Sequence, residues 1–299
     1  MATTRPYPII LAHGIARFDF LTESLRQRVN LTLWDQREVF DRLHYFRGIV
    51  SYLQARGFDT HATTVGFAEP LPVRAAQLAA EIDRVLVETG REKVHVIGHS
   101  MGGLDTRHML VFVPGMAEKV ASLTSIGTPH NGTSFADYGL THGGEAAIEA
   151  LREIIDFGGF ETLTLAERRA FNEAARHREA TNSVVYRVYA SAQAREKVFG
   201  PLQRPYDIIF AQEGENDGLV SVQSQLWTDR LVADDGTTKP VHQFHFPIPA
   251  DHLNEIGWWD VRELGRANWW RLNMLREKRG FETAVKNIYL TIAQDVTQL

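Results

Sequence analysis

The segment Gly98-His99-Ser100-Met101-Gly102 sets a hydroxyl between two glycines at the spacing G-x-S-x-G. A serine becomes a nucleophile when a base takes its proton, and the base works best when a carboxylate orients it. The glycines allow a turn so tight that a Cβ at either position would strike neighbouring backbone; such a turn lifts the hydroxyl clear of a sheet. A helix that starts there aims its first amides at the same point, where they can hold a developing oxyanion. Downstream, Asp217 in Asn216-Asp217-Gly218-Leu219-Val220 and His252 in Asp251-His252-Leu253-Asn254 follow in the order serine, acid, histidine. The expected chemistry is acyl transfer through Ser100, with His252 as base and Asp217 as its orienting acid.

Other titratable residues fit quieter roles. Asp234 and Asp235 belong to an Asp-Asp-Gly turn that suits a solvated hairpin tip, and His242 and His245 lie in a strand-like run. Asp251 beside His252 suits a helix cap. His13, just before Gly14, reads as a structural hydrogen-bonding residue, and no role is assigned to His99. The loop that holds His13 and Gly14 makes the amide of Ile15 the expected second oxyanion donor, paired with the amide of Met101. With no cysteine, no H-E-x-x-H and 12 scattered histidines, neither a metal nor a cofactor is expected.

These residues need a frame. The apolar run at 8–12 reads as a buried strand, 60–65 as a second, 93–98 as a third and 120–126 as a fourth. Between them Val73, Leu78, Ile82, Val85 and Leu86 share a helical face that ends at Thr89-Gly90, and 102–110 also reads as helix. Strand and helix in this alternation predict a mostly parallel α/β sheet with right-handed crossovers. Residues 134–178 are Ala- and Glu-rich with helical patterns at 145–155 and 166–175. Strands are expected again at 184–190 and 208–211, and helix after Trp258. Without internal repeat or Pro/Ser-rich linker, the expectation is one domain over 1–299 carrying a helical insertion at about 134–180.

Composition narrows the function classes. Of 299 residues 44% are hydrophobic and 23% charged, which excludes a disordered, collagen-like or coiled-coil chain. The net charge is −5 and no Lys/Arg run exceeds two residues, so no nucleic-acid partner is expected. No apolar run approaches the ~18 residues of a membrane span. No signal peptide is expected, which leaves the compartment open between cytoplasmic and exported without a cleaved signal. No obligatory protein partner is evident.

The motifs together resemble the bacterial family I triacylglycerol lipases of the α/β-hydrolase superfamily. The resemblance runs through YPIILAHGIARFD (7–19), YFRGIVSYLQARG (45–57), VHVIGHSMGGL (94–104), SIGTPHNGT (125–133), NDGLV (216–220) and HLNEI (252–256). It implies an α/β-hydrolase fold with Ser100, Asp217 and His252 as the triad, Ile15 and Met101 as the oxyanion hole, and Arg74 as a brace of the oxyanion loop. It also implies that 146–157 is a lid, since Ile148, Leu151, Ile154 and Ile155 share one helical face. Residues 20–44 are longer than in compact members of that family, and Leu25, Val29, Leu33 and Trp34 suggest an added helix near the site mouth. The family's calcium acids are missing: Asn254 stands where one aspartate belongs, and 198–202 holds no acid. Substrates implied are lipid or small esters met at a lipid–water interface. The rival readings are a carboxylesterase for soluble short-chain esters and a catalytically silent binding protein of the same fold; dehalogenases and epoxide hydrolases would want Asp at position 100.

Overall fold

The computed structural model describes residues 6–14, 45–66, 69–142, 161–258 and 271–299, the last segment as backbone alone up to 275. Among them seven strands form one sheet: β1 Ile9–Ala12, β2 Thr60–Ala62, β3 Val94–His99, β4 Val120–Ile126, β5 Val185–Ala190, β6 Arg230–Val232 and β7 Thr238–His245. The order is β2-β1-β3-β4-β5-β7-β6, parallel throughout except for the β6–β7 pair. The antiparallel pair turns at Asp234-Asp235-Gly236, where Asp235 Oδ1 accepts from Thr237 N at 2.9 Å.

The principal helices are α1 Ile49–Gln54, α2 Leu71–Thr89, α3 Met101–Phe112, α4 Ser134–Thr141, α5 Leu165–Thr181, α6 Gln203–Glu213, α7 Val222–Leu226 and α8 Arg271–Val296. Because successive strand residues face opposite ways, β1 feeds two cores. Ile9 and Leu11 join Leu53 of α1 and Tyr289 of α8 on one face. Ile10 and Ala12 join Leu78 and Ile82 of α2 and Met109 of α3 on the other. Every residue of β1 and β3 is buried, as strands covered on both faces require. This is the α/β-hydrolase fold.

The chain leaves β1 for β2 on one side and returns through β3 on the other. The carboxyl ends of β1 and β3 therefore flank a reversal of strand order, the place where open α/β sheets bind ligands.

One expected strand is wrong. Residues 208–211 lie inside α6, because Leu202, Tyr206 and Ile209 are buried at helical spacing while Phe210 faces solvent. A four-residue apolar run does not discriminate strand from helix. Pro205 sits in the first turn of α6, where its missing N–H has no intrahelical partner to lose. Residues 15–44 and 143–160, which hold Ile15, the expected added helix and the expected lid, lie outside the described residues, as do 259–270.

Candidate active site

Ser100 stands between β3 and α3 with φ 55° and ψ −127°, a left-handed φ that a side-chain-bearing residue adopts only under constraint. Three hydrogen bonds hold it there. Ser100 N donates to Ile126 O (2.9 Å), and Ser100 O accepts from Gly103 N (3.1 Å) and Thr128 Oγ1 (2.9 Å). The flanking glycines are needed for close approach: a Cβ at Gly102 would lie 2.1 Å from the carbonyl oxygen of Ala12, and one at Gly98 2.7 Å from Gly103 N. The turn thus presses α3 onto the end of β1. Ser100 Oγ is brought beside Gly14, whose ideal Cβ position is 3.2 Å from it. Met101 N opens α3 and, as a first-turn amide, has no intrahelical acceptor.

Asp217 and His252 come together from the loops after α6 and β7. A bridge between Asn216 and Ser221 closes the Asp217 loop. Within it Asp217 Oδ1 accepts from Leu219 N (2.8 Å) and Val220 N (2.7 Å), leaving Oδ2 for His252 Nδ1 at 2.8 Å. His252 N also donates to Asp217 O at 2.8 Å, so backbone and side chain fix the same pair. Both residues are buried. Nδ1–H donation to the carboxylate leaves Nε2 as the unprotonated, basic nitrogen. Among the described residues Ser100 Oγ forms no hydrogen bond to His252.

The loop that carries His13 is tied down from below. Arg74 on α2, wholly buried, donates from Nη2 to His13 O (3.1 Å) and from Nη1 to Gly66 O (2.6 Å), while Nε and Nη2 clamp Asp105 of α3. His13 itself is spent: Nδ1–H donates to Gly14 O (2.8 Å) and Nε2 accepts from Val65 N (3.2 Å). Burial pushes its pKa down to about 4, so it stays neutral and structural.

Four residues without an expected role, Gln225, Glu255, Tyr45 and His99, complete the site. Gln225 of α7 donates to Asp217 Oδ2 (3.3 Å), Val220 O and Ser191 O. Glu255, wholly buried, places Oε2 2.8 Å from His99 Nε2 and 4.0 Å from His252 Nδ1. Tyr45 Oη lies 2.6 Å from His99 Nδ1. The imidazole centroids of His99 and His252 lie 4.6 Å apart, the rings tilted by 47°. Among the described residues His99, His252 and Glu255 form the one group with metal-ligand proximity, and it is this hydrogen-bonded cluster.

A family model described as the alpha/beta hydrolase fold matches residues 7–142. The triacylglycerol lipase 2 of Saccharomyces cerevisiae is 26% identical over 319 residues, covering 97% of this chain and 91% of that protein. The triacylglycerol lipase of Pseudarthrobacter phenanthrenivorans is 38% identical over 140 residues, which is 46% of this chain and 37% of that relative's length. Among solved structures the Staphylococcus hyicus lipase aligns at TM-score 0.63 with 16% identity, over 99% of this chain and 96% of that one. A metagenomic carboxyl esterase aligns at TM-score 0.63 with 18% identity, over 98% of this chain and 77% of that one. The chain has the α/β-hydrolase fold and is similar over much of its length to lipases and esterases of that fold.

Proposed function

We propose that this chain hydrolyses acylglycerol esters through an acyl-enzyme on Ser100. The observation that carries the assignment is the strained Ser100 turn at the sheet's switch point, with the His252–Asp217 pair at 2.8 Å above the same strand ends. His252 Nε2 takes the hydroxyl proton as Ser100 Oγ attacks the ester carbonyl, and Asp217 stabilises the imidazolium that forms. The tetrahedral oxygen is held by the amides of Met101 and Ile15. The imidazolium then protonates the departing alkoxide, and water repeats the sequence on the acyl-enzyme. Arg74 positions the oxyanion loop through the His13 carbonyl. Labelling with a fluorophosphonate followed by peptide mapping tests the nucleophile: adduct at Ser100 is expected, and adduct on any other residue overturns the assignment.

The acylglycerol reading has a surface argument. Leu140 at the end of α4, Leu165 at the start of α5 and Phe210 on α6 are exposed apolar side chains, and α4 packs against both α5 and α6. Leu140 and Leu165 precede and follow in sequence the segment 146–157, proposed as a lid within a helical insertion over about 134–180. An apolar rim of this kind favours an ester aggregate over a dissolved ester. Initial rates on tributyrin are therefore expected to rise more steeply above its solubility limit than below it. A rate that saturates below that limit would support the carboxylesterase reading instead.

Calcium is not expected to hold the His252 loop, because the residues do not fit the ion. Asn254 Oδ1 already accepts from Asp251 N (3.3 Å) and its amide donates to Trp258 O (2.7 Å). Asp207, an acid near the upstream segment, is held by Arg195 at 2.5 and 2.7 Å. Asp251 does the joining: Oδ1 caps the turn through Leu253 N and Asn254 N, while Oδ2 accepts from Phe199 N at 2.8 Å. Trp258 adds a hydrogen bond from Nε1 to Tyr45 O (3.1 Å). Tight calcium sites need several anionic oxygens. EDTA is expected to leave activity and Tm unchanged; a loss that calcium restores would refute this.

A further inference from the structure

Behind the proposed triad runs an unbroken line of buried polar groups. It starts at the Gly14 backbone, whose hydrogen bond to Tyr45 Oη occupies one lone pair of the phenol. It continues through Tyr45 Oη to His99 Nδ1 (2.6 Å), His99 Nε2 to Glu255 Oε2 (2.8 Å), and Glu255 Oε1 to Ser191 Oγ (2.5 Å). It ends where Ser191 Oγ meets Ala250 O at 2.9 Å. Room for Glu255 comes from Gly127, whose Cβ would lie 2.1 Å from Oε2.

Counting hydrogens fixes who donates to whom. Tyr45 has one hydroxyl hydrogen and gives it to His99 Nδ1, so neutral His99 carries its hydrogen on Nε2 and donates it to Glu255 Oε2. Ser191 also has one hydrogen but two oxygen neighbours, Ala250 O and Glu255 Oε1. Ala250 O can only accept, and among the described residues Ser191 is its donor. The short contact to Glu255 Oε1 is then satisfied only if that oxygen bears a hydrogen. A carboxylate there would leave a buried carbonyl or a buried lone pair without a donor, which is costly.

We propose that Glu255 is a neutral, protonated positioning residue that links the oxyanion loop at Gly14 to the His252 loop through Tyr45 and His99. Its role presupposes that His252 is the base. The groups around it agree with a neutral acid. Asp217 and Asp251 face it from the two loops, His99 from β3, Tyr45 from the segment before α1 and Tyr289 from α8. Burial, the Asp217 carboxylate and Asp251 push the Glu255 carboxyl well above the usual range, and burial with His252 beside it holds His99 neutral. Neutrality matters to the chemistry. Glu255 Oε2 is 4.0 Å from His252 Nδ1, and a second carboxylate there would make the imidazolium too stable to surrender its proton. As an acid it orders both loops while Asp217 remains the one anion touching the base.

Infrared difference spectroscopy of the full chain at pH 7.5, wild type minus Glu255→Gln, reads the proton directly. A carboxylic acid C=O band present in wild type and lost in the variant is expected; its absence overturns the proposal. The acid limb of the kcat/KM profile gives a second readout. Glutamine keeps the neutral donor–acceptor pattern, so the limb stays in place, and kcat falls less than in Glu255→Ala. A fall of the limb by about 1–3 pH units in Glu255→Gln would show that a carboxylate had been removed, and would also overturn it. The band is equally expected in Ser100→Ala, where no turnover occurs. Loss of the band with an inactive Ser100→Ala refutes this inference alone, whereas an active Ser100→Ala refutes the nucleophile assignment and leaves the band's meaning intact.

Discussion

Replacing Ser100 with Ala is expected to lower kcat by ~10⁴-fold or more while leaving Tm close to wild type. The large effect follows from the turn geometry. Ser100 N and Ser100 O tie the turn to Ile126, Thr128 and Gly103, Gly102 lets α3 approach the end of β1, and none of those contacts uses the hydroxyl. The side chain can therefore be truncated without opening the turn. His252→Ala is expected to cost a similar factor, since residues acting as one unit fail together rather than additively. It differs in stability: the variant loses the buried partner of Asp217 Oδ2, leaving Gln225 Nε2 at 3.3 Å as the remaining side-chain donor to that oxygen. Steady-state rates on a p-nitrophenyl ester, with thermal melts on the same samples, check both. A folded Ser100→Ala retaining a tenth of wild-type kcat would require another nucleophile.

The sequence carries some of this architecture on its surface and hides the rest. The turn at Ser100 was legible because its requirement is local. Six consecutive buried residues in β3, with Val94, Val96 and Ile97 among them, mark a strand covered on both faces, and two glycines mark where backbone meets backbone within 3 Å. Asp217 and His252 were proposed from their order and the short motifs around them, and the structure pairs the two side chains at 2.8 Å. The loop's support was expected for a different reason: it came from likeness to known lipases, and no feature local to Arg74 singled it out. Tyr45, His99, Glu255 and Gln225 had no assigned role because their partners are far away along the chain. Tyr45 meets His99 across 54 positions and His99 meets Glu255 across 156, separations at which no periodicity or spacing rule operates. The error over 208–211 has the opposite cause. There the local signal was read too literally, and burial of Tyr206 and Ile209 against the α4 side of the sheet decided for helix.

The Arg74–Asp105 pair carries the second large effect, this time on stability. Arg74 has no exposure, and its guanidinium serves Asp105, Gly66 and His13 at once. Burial pushes the Asp105 carboxyl up to about 6 even with Arg74 against it, so at neutral pH the pair is ionised but dependent on its partner. Removing one member of a buried pair strands the other charge and typically costs about 3–5 kcal/mol. Arg74→Met is expected to destabilise by that amount in urea unfolding. It also frees the carbonyl of His13, in the loop before Ile15, and that of Gly66, after β2. Adding Asp105→Leu removes the stranded carboxylate, and replacing both members with apolar groups is often neutral, so most of the lost stability is expected to return. Activity is not: His13 O and Gly66 O still lack their donor in the double variant, and kcat should remain as low as in Arg74→Met with KM little changed. If stability and kcat recovered together, Arg74 would act only as the counter-ion of Asp105. If Arg74→Met unfolded within about 1 kcal/mol of wild type, the pair would be contributing no more than a surface ion pair does.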